Sequence, residues 1–334
     1  MAMKVIIPAA GAGKRLYPHT YTKPKPMVFV AGKPIIGHIL DKMIGLDPDE
    51  VIVVVGYMKE KIVSYVRGNY SNSFRKITFV DQDQQLGLGH SIYVTRDAVG
   101  DSPVLIALGD MIFKDGYSEF LRHHRENGQC SGSIGIKAID NPERYGIVFL
   151  NKDQTIGKLV EKPKRSKSNI GIAGVYFIED TPRLFRALDS LVSASHSGEI
   201  QLTDALQKAV EQGSVFKTFE VNSWYDCGRP ASLLEVNRIL LAERNQSENG
   251  AVNSIIIEPV SIGKNARVEN SIIGPYVSIS EGAAVSNSII EDSIVGNNAE
   301  VKYMSLHSSI IGDHAILVGK AQALNIGDSS TIEF

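Results

Sequence analysis

From Ile256 to Leu317 an aliphatic side chain returns every five or six residues: Ile256, Ile262, Val268, Ile273, Ile279, Val285, Ile290, Val295, Val301, Leu306, Ile311 and Leu317. Small and polar residues fill the intervals. Ile-Gly or Val-Gly pairs recur at Ile262-Gly263, Ile273-Gly274, Val295-Gly296, Ile311-Gly312 and Ile326-Gly327. A helix needs a period of about 3.6 and a half-buried strand a period of about 2, so neither produces this ladder. Short strands forming the sides of a three-sided coil do, each pointing one aliphatic residue inward. At three sides per turn, the twelve positions make about four coils.

The chain before Gly250 has a different texture. Apolar runs at Lys4–Pro8, Val51–Val55, Ile77–Val80 and Val104–Leu108 are continuous, as expected for strands covered on both faces. Between the first two, Ile35, Ile36, Ile39, Leu40, Met43 and Ile44 recur at helical spacing and predict a crossover helix. Strand and helix in alternation imply βαβ units, hence an α/β fold with a mostly parallel sheet. Further on, strand patterns at Ser133–Ala138, Gly146–Leu150, Val175–Ile178 and Val215–Glu220 mix with helical ones at Pro182–Leu188 and Leu202–Glu211. A helix is expected from about Pro230 to Arg244. The polar Asn245–Gly250 then reads as a linker. The expected division is residues 1–245 and residues 251–334.

The formal net charge of −2 over 334 residues offers no global field for nucleic acid. No apolar run is long enough to span a membrane, and the N-terminus lacks the pattern of a signal peptide. Cys130 and Cys227, far apart, read as reduced thiols, with one disulfide as the alternative. A cytoplasmic protein is expected.

Directly after the first strand comes Pro8-Ala9-Ala10-Gly11-Ala12-Gly13-Lys14-Arg15-Leu16. Its glycines let backbone N–H groups approach phosphate oxygens, and Lys14 and Arg15 add charge. It is not a Walker loop, because Arg15 stands where Ser or Thr is required and Pro8 where the first glycine is. It is not a dinucleotide fingerprint either, because Leu16 replaces the third glycine. A lone G-x-G reads first as a strand-ending turn, but the segment downstream changes that reading. Arg15-Leu16-Tyr17-Pro18 leads to Thr22-Lys23-Pro24-Lys25-Pro26-Met27-Val28 and then Gly32-Lys33-Pro34. Farther on, Leu108-Gly109-Asp110 puts an aspartate just after a buried strand, where open α/β sheets place their ligands.

This compound motif resembles the sugar nucleotidyltransferase family, which has G-x-G-T/S-R-L-x-P, then K-P-K and K-P. The resemblance covers essentially the whole chain and is nearest to long-form glucose-1-phosphate thymidylyltransferases. It implies a Rossmann-like domain followed by the left-handed parallel β-helix of hexapeptide-repeat proteins. The implied reaction is attack by a sugar 1-phosphate oxygen on the α-phosphorus of a nucleoside triphosphate, releasing pyrophosphate, without a covalent intermediate. Two polyanions must meet, so cations and a metal, Mg²⁺, are expected.

The resemblance assigns roles. Ala10, Gly11, Ala12, Gly13 and Lys14 wrap the triphosphate, and Arg15 and Lys25 contact its phosphates. Lys14 stands where the family has Thr or Ser, which removes a hydroxyl contact. Asp110 and Asp226, the latter in Trp224-Tyr225-Asp226-Cys227-Gly228, match the metal aspartates. Gln82 and Gly87 match the groups that pair with the base, with Gln84 and Gln85 as competing neighbours, while His90 reads as a helix-start or packing residue. Gly146, Glu161, Lys162, Gly174 and Tyr176 match the sugar-phosphate side, with Lys162 meeting the phosphate. dTTP or UTP with glucose 1-phosphate is expected, guanylyl transfer to mannose 1-phosphate being the alternative. A homo-oligomer is also expected. Two rivals are an added acyltransferase in the repeat tail, using His307 or His314, and a non-catalytic sensor of sugar nucleotides. The latter class typically loses a metal aspartate or a loop cation, and none is lost here.

Overall fold

The computed structural model describes residues 3–194, 198–243 and 251–320. The linker Asn245–Gly250 and the pair Ile326-Gly327 lie outside the described residues. The chain groups into two compact units. One is Met1–Val28 with Pro34–Ser232, the other Phe29–Lys33 with Leu233–Phe334.

The first unit is built on a nine-stranded sheet. In chain order its elements are β1 Lys4–Pro8, α1 Ile35–Met43, β2 Glu50–Val55, α2 Lys59–Tyr70, β3 Ile77–Asp81, α3 Leu88–Tyr93 and β4 Val104–Ala107. Next come β5 Met111–Phe113, α4 Tyr117–Glu126, β6 Gly132–Ala138, β7 Gly146–Leu150, β8 Ile156–Glu161 and β9 Ile170–Ile178. They are followed by α5 Thr181–Ala194, α6 Leu202–Glu211, β10 Phe216–Glu220 and β11 Trp224–Asp226. The order along the sheet is β8-β7-β9-β4-β1-β2-β3, with β6 pairing β9 and β10.

The strands β3, β2, β1 and β4 are mutually parallel, as the βαβ pattern requires. Val51, Ile52, Val53 and Val54 are fully buried, which explains their unbroken apolar run. Beyond β4 the sheet turns antiparallel, through β9 and the hairpin β7–β8. A tight hairpin suffices for such pairs, whereas parallel ones need a crossover. Opposite β6, β9 loses register between Ile172 and Tyr176. Gly174 lies in that interval at φ +80, and a Cβ there would come 2.8 Å from Leu108 Cδ1.

In the second unit, helix α7 (Pro230–Ala242) contributes its residues from Leu233 onward, alongside the stacked coils. The coils form three sheets of parallel strands, one per side, the stacking of a left-handed β-helix. Pairs such as Val268↔Val285 and Ile273↔Ile290 set the coil length at 17 residues. Later pairs such as Val285↔Val301 and Ile290↔Leu306 are 16 apart. Val268, Ile273, Ile279, Ile290, Val295 and Val301 are all at 0% exposure, so the ladder is the core of the coil. Corners are turned by left-handed residues, among them Asn253, Asn270 and Asn287 near φ +49. Serines stack behind them: Ser254 Oγ accepts from Ser271 N–H, and Ser271 Oγ from Ser288 N–H, each at 3.1 Å.

Candidate active site

The loop after β1 is shaped by one glycine. Gly13 is left-handed at φ +68, and a Cβ there would come 2.7 Å from Lys25 Cβ. The Thr20 hydroxyl donates to Gly13 O at 2.9 Å, closing the loop against the Lys25 segment. Gly11 has open space where its Cβ would be, and Lys14 and Arg15 are exposed. Gly11, Gly13, Lys14, Arg15, Lys25 and Asp110 line one recess of ≈ 450 Å³, a volume suited to a small molecule.

Two backbone contacts bring a carboxylate to that recess. Gly109 N–H donates to Pro8 O at 3.1 Å. A Cβ on Gly109 would be 2.5 Å from the same oxygen, so only glycine lets the ends of β1 and β4 approach this way. Asp110 follows immediately. The short strands β5 and β11 pair antiparallel with Asp226 opposite Met111, and Cys227 N–H donates to Asp110 O at 3.1 Å. The two aspartates, far apart in sequence, thus stand side by side.

Lys25 joins them. Its Nζ is 2.5 Å from Asp110 Oδ2 and 3.4 Å from Asp226 Oδ1. Burial opposes its charge, but Asp110 and then Asp226 outweigh burial, and the ammonium is held above its ordinary value. Lys25 is therefore a fixed cation rather than a base. The Asp110 and Asp226 side chains stay 34% and 36% exposed. Two part-exposed carboxylates form a hard oxygen donor set that fits Mg²⁺, which keeps several waters and takes one or two protein carboxylates. Among the described residues, no group of three or more His, Cys, Asp or Glu side chains forms a denser site. Neighbouring Cys227 is fully buried, and burial pushes its thiol far up, which suits a packing residue and not a nucleophile.

A second recess of ≈ 250 Å³ adjoins the first, sharing Pro8, Gly11 and Leu88. It is lined by Ala10, Gln82, Gln85, Gly87, Ser91 and Glu199. Gln82 is 5% exposed, and its Nε2 donates to Gly87 O at 3.1 Å. Gly87 has φ +95, and a Cβ there would meet Ile200 O at 2.8 Å. Ile200 also accepts from Gly89 N–H and donates to Leu86 O, both at 2.7 Å, fastening the glycine loop to the segment before α6. Gln85 Nε2 donates to Ala10 O at 3.3 Å, tying this recess to the phosphate loop.

At the end of β8, Glu161 Oε2 accepts from Thr203 Oγ1 at 2.7 Å, and Oε1 is 2.9 Å from Lys162 Nζ. Gly146 pairs with Glu161 across β7–β8, and a Cβ on it would stand 3.2 Å from Glu161 Oε2. Lys162 is left-handed at φ +41 and half-exposed. Burial, with Glu161 second, raises the Asp204 carboxyl above its ordinary value. Tyr145, next to Gly146, places its ring 5.0 Å from that of Trp224, two residues before Asp226.

The structure therefore gathers the loop from Ala10 to Arg15 with Lys25, Asp110 and Asp226. It sets Gln82 and Gly87 in the adjoining recess and groups Gly146, Glu161 and Lys162 together. Gly174 packs on Leu108. Tyr176 is 4% exposed within the core cluster, its hydroxyl raised by burial, and lines neither recess. Sequence reasoning misses Ser91 and Glu199. Neither sits in a motif, and only the fastening of Ile200 to the glycine loop brings Glu199 there.

The sequence profile of the nucleotidyl transferase family matches residues 4–243. Over 348 aligned residues the chain is 35% identical to the Bifunctional protein GlmU of Methanococcus vannielii, covering 94% of this chain and 78% of that protein. It is 28% identical over 357 residues to the glucose-1-phosphate thymidylyltransferase of Streptomyces antibioticus, covering 99% of each. A solved UDP-glucose pyrophosphorylase complexed with UDP-glucose matches with TM-score 0.63 at 26% identity, covering 73% of this chain and 100% of that one. With the phosphate loop, paired aspartates and sheet already in place, the profile match over most of the chain makes this protein a member of the nucleotidyl transferase family.

Proposed function

We propose that the protein transfers a nucleoside monophosphate from dTTP or UTP to glucose 1-phosphate or a related hexose 1-phosphate, releasing pyrophosphate. The observation that carries this reading is the convergence of the Gly11–Arg15 loop, Lys25 and Asp110 on one recess, with Asp226 held beside them by Lys25. The relatives that act on glucose 1-phosphate and UDP-glucose, by their names, support a hexose phosphate and a pyrimidine nucleotide. The chemistry belongs to the part expected at residues 1–245.

In this reading the backbone N–H groups of Ala10–Lys14 hold the triphosphate. Arg15 and the Lys25 ammonium balance charge on the α-phosphate and leaving pyrophosphate. Asp110 and Asp226 would hold Mg²⁺, which would neutralise phosphate charge. Gln82 and Gly87 read the base. Glu161 accepts hydrogen bonds from sugar hydroxyls, Gly146 admits the ring close to its backbone, and Lys162 meets the sugar phosphate. The phosphate oxygen then displaces pyrophosphate in line, positioned from both sides of the transferred group.

The test is pyrophosphate release with Mg²⁺, using dTTP, UTP, GTP, CTP and ATP against glucose, mannose and N-acetylglucosamine 1-phosphates. Activity is expected with dTTP or UTP plus glucose 1-phosphate, falling about 10²-fold or more in Asp110→Asn. A folded protein silent across the grid would overturn the proposal.

A further inference from the structure

The Gln82 carboxamide has two chemically opposite ends, and the end left facing the recess decides which base edge fits. Its Nε2 lies 3.1 Å from Gly87 O and 3.2 Å from His90 Nδ1. A carbonyl oxygen only accepts, so the amide nitrogen is fixed on that side. Both N–H groups of Nε2 are then used, and Oε1 is the end that remains to accept.

His90 supplies the second anchor. Its Nδ1 faces Nε2, which can only donate, so Nδ1 is the accepting nitrogen. Burial holds the imidazole below its ordinary value, so the ring is neutral near pH 7 and keeps that lone pair. The ring stacks beside Tyr93, with centroids 6.3 Å apart. Gly87 O also accepts the helical Ser91 N–H at 3.1 Å, and His90 Nδ1 is the second acceptor that holds Nε2. Without His90, one N–H of a 5%-exposed amide would be buried without a partner, and Gly87 O alone would hold the carboxamide.

We propose that His90 is a specificity-positioning residue: its Nδ1 locks the Gln82 carboxamide with Oε1 towards the nucleobase. That selects uracil or thymine over cytosine. Uracil and thymine carry a donating N3–H, whereas N3 of cytosine is an acceptor and would face Oε1 lone pair to lone pair. The inference rests on the reading of Gln82 as the base-contacting residue.

Calorimetric binding of UTP, dTTP and CTP to the full chain tests it without depending on turnover. His90→Phe keeps an aromatic ring beside Tyr93 and removes the acceptor. The preference for UTP and dTTP over CTP is expected to fall about tenfold, as for one lost hydrogen-bond lock. His90→Asn, which returns an acceptor at the Nδ1 position, is expected to restore most of it. A role in folding alone would not produce this pattern, and His90→Leu replaces His90→Phe if the latter does not fold. An unchanged preference in His90→Phe, alongside a collapsed one in Gln82→Ala, overturns the role of His90 alone. An unchanged preference in Gln82→Ala overturns the base-reading assignment beneath it.

Discussion

Gly109 shows how much of the site depends on atoms that are absent. The sequence marks the position only as the residue before Asp110, yet Pro8 O occupies the space where a side chain would begin. Gly109→Ala must part the ends of β1 and β4. We expect a loss of about 1–3 kcal/mol in urea denaturation, as for overpacking, with activity falling further because Asp110 moves off Lys25. The charged members of the site are legible because proline punctuation and motif order give them away. Lys25 sits between two prolines, and Asp110 and Asp226 occur in expected surroundings. The bridging of both carboxylates by Lys25 is not legible, since it depends on Asp226 pairing opposite Met111 from a distant strand. His90 reads from sequence as a packing residue for a similar reason: its partner is identified by geometry, eight positions back at Gln82.

At the scale of elements, the repeat tail is the clearest reading, because one inward residue per side leaves a period that no helix or flat strand shares. What the period does not disclose is the clasp between α7 and the coils. Arg238 forms a two-pronged ion pair with Asp292, whose side chain is 5% exposed and also accepts from the Ser308 hydroxyl at 2.7 Å. Arg238 holds the Asp292 carboxyl below its ordinary value of 3.8, against burial, with Ser308 adding to the effect. The folded carboxyl binds its proton less readily than the unfolded one. The stabilisation is therefore complete above pH 3.8 and is lost as pH falls from there through the lower folded value. Because Arg238 is 47% exposed, the pair is worth about 1–2 kcal/mol and not the larger value of a buried bridge. Denaturation of Arg238→Ala between pH 3 and pH 7 should show that deficit at pH 7 and its narrowing below pH 3.8.

At the scale of the whole molecule, the sequence conveys two textures joined by a polar stretch, but not how the chain is shared between the units. Phe29–Lys33 belongs with the second unit although both of its neighbours in the chain belong to the first. Within the second unit, Asn237 shows why. It is fully buried, its Oδ1 accepts from Ala31 N–H at 2.9 Å and from Ser278 Oγ at 2.6 Å, and its Nδ2 donates to Tyr276 O at 3.0 Å. Asn237→Leu would leave the buried Ala31 N–H and Ser278 hydroxyl without this acceptor and the part-buried Tyr276 O without this donor. We expect a loss of about 2–4 kcal/mol, measured by chemical denaturation. No sequence pattern announces such a link, because it spans 206 residues between Ala31 and Asn237.

That small excursion bears on how such a chain can be inherited or rebuilt. The polypeptide passes from one unit to the other after Val28, returns after Lys33 and leaves again after Ser232. A single crossover in the linker would therefore transplant a tail without the Phe29–Lys33 segment and the helix that go with it. Recombination between relatives, natural or in the laboratory, must exchange Phe29–Lys33 together with everything from Leu233 onward. In genetic terms, the segment that follows the Lys-Pro-Lys motif and the distant repeats form one linkage group.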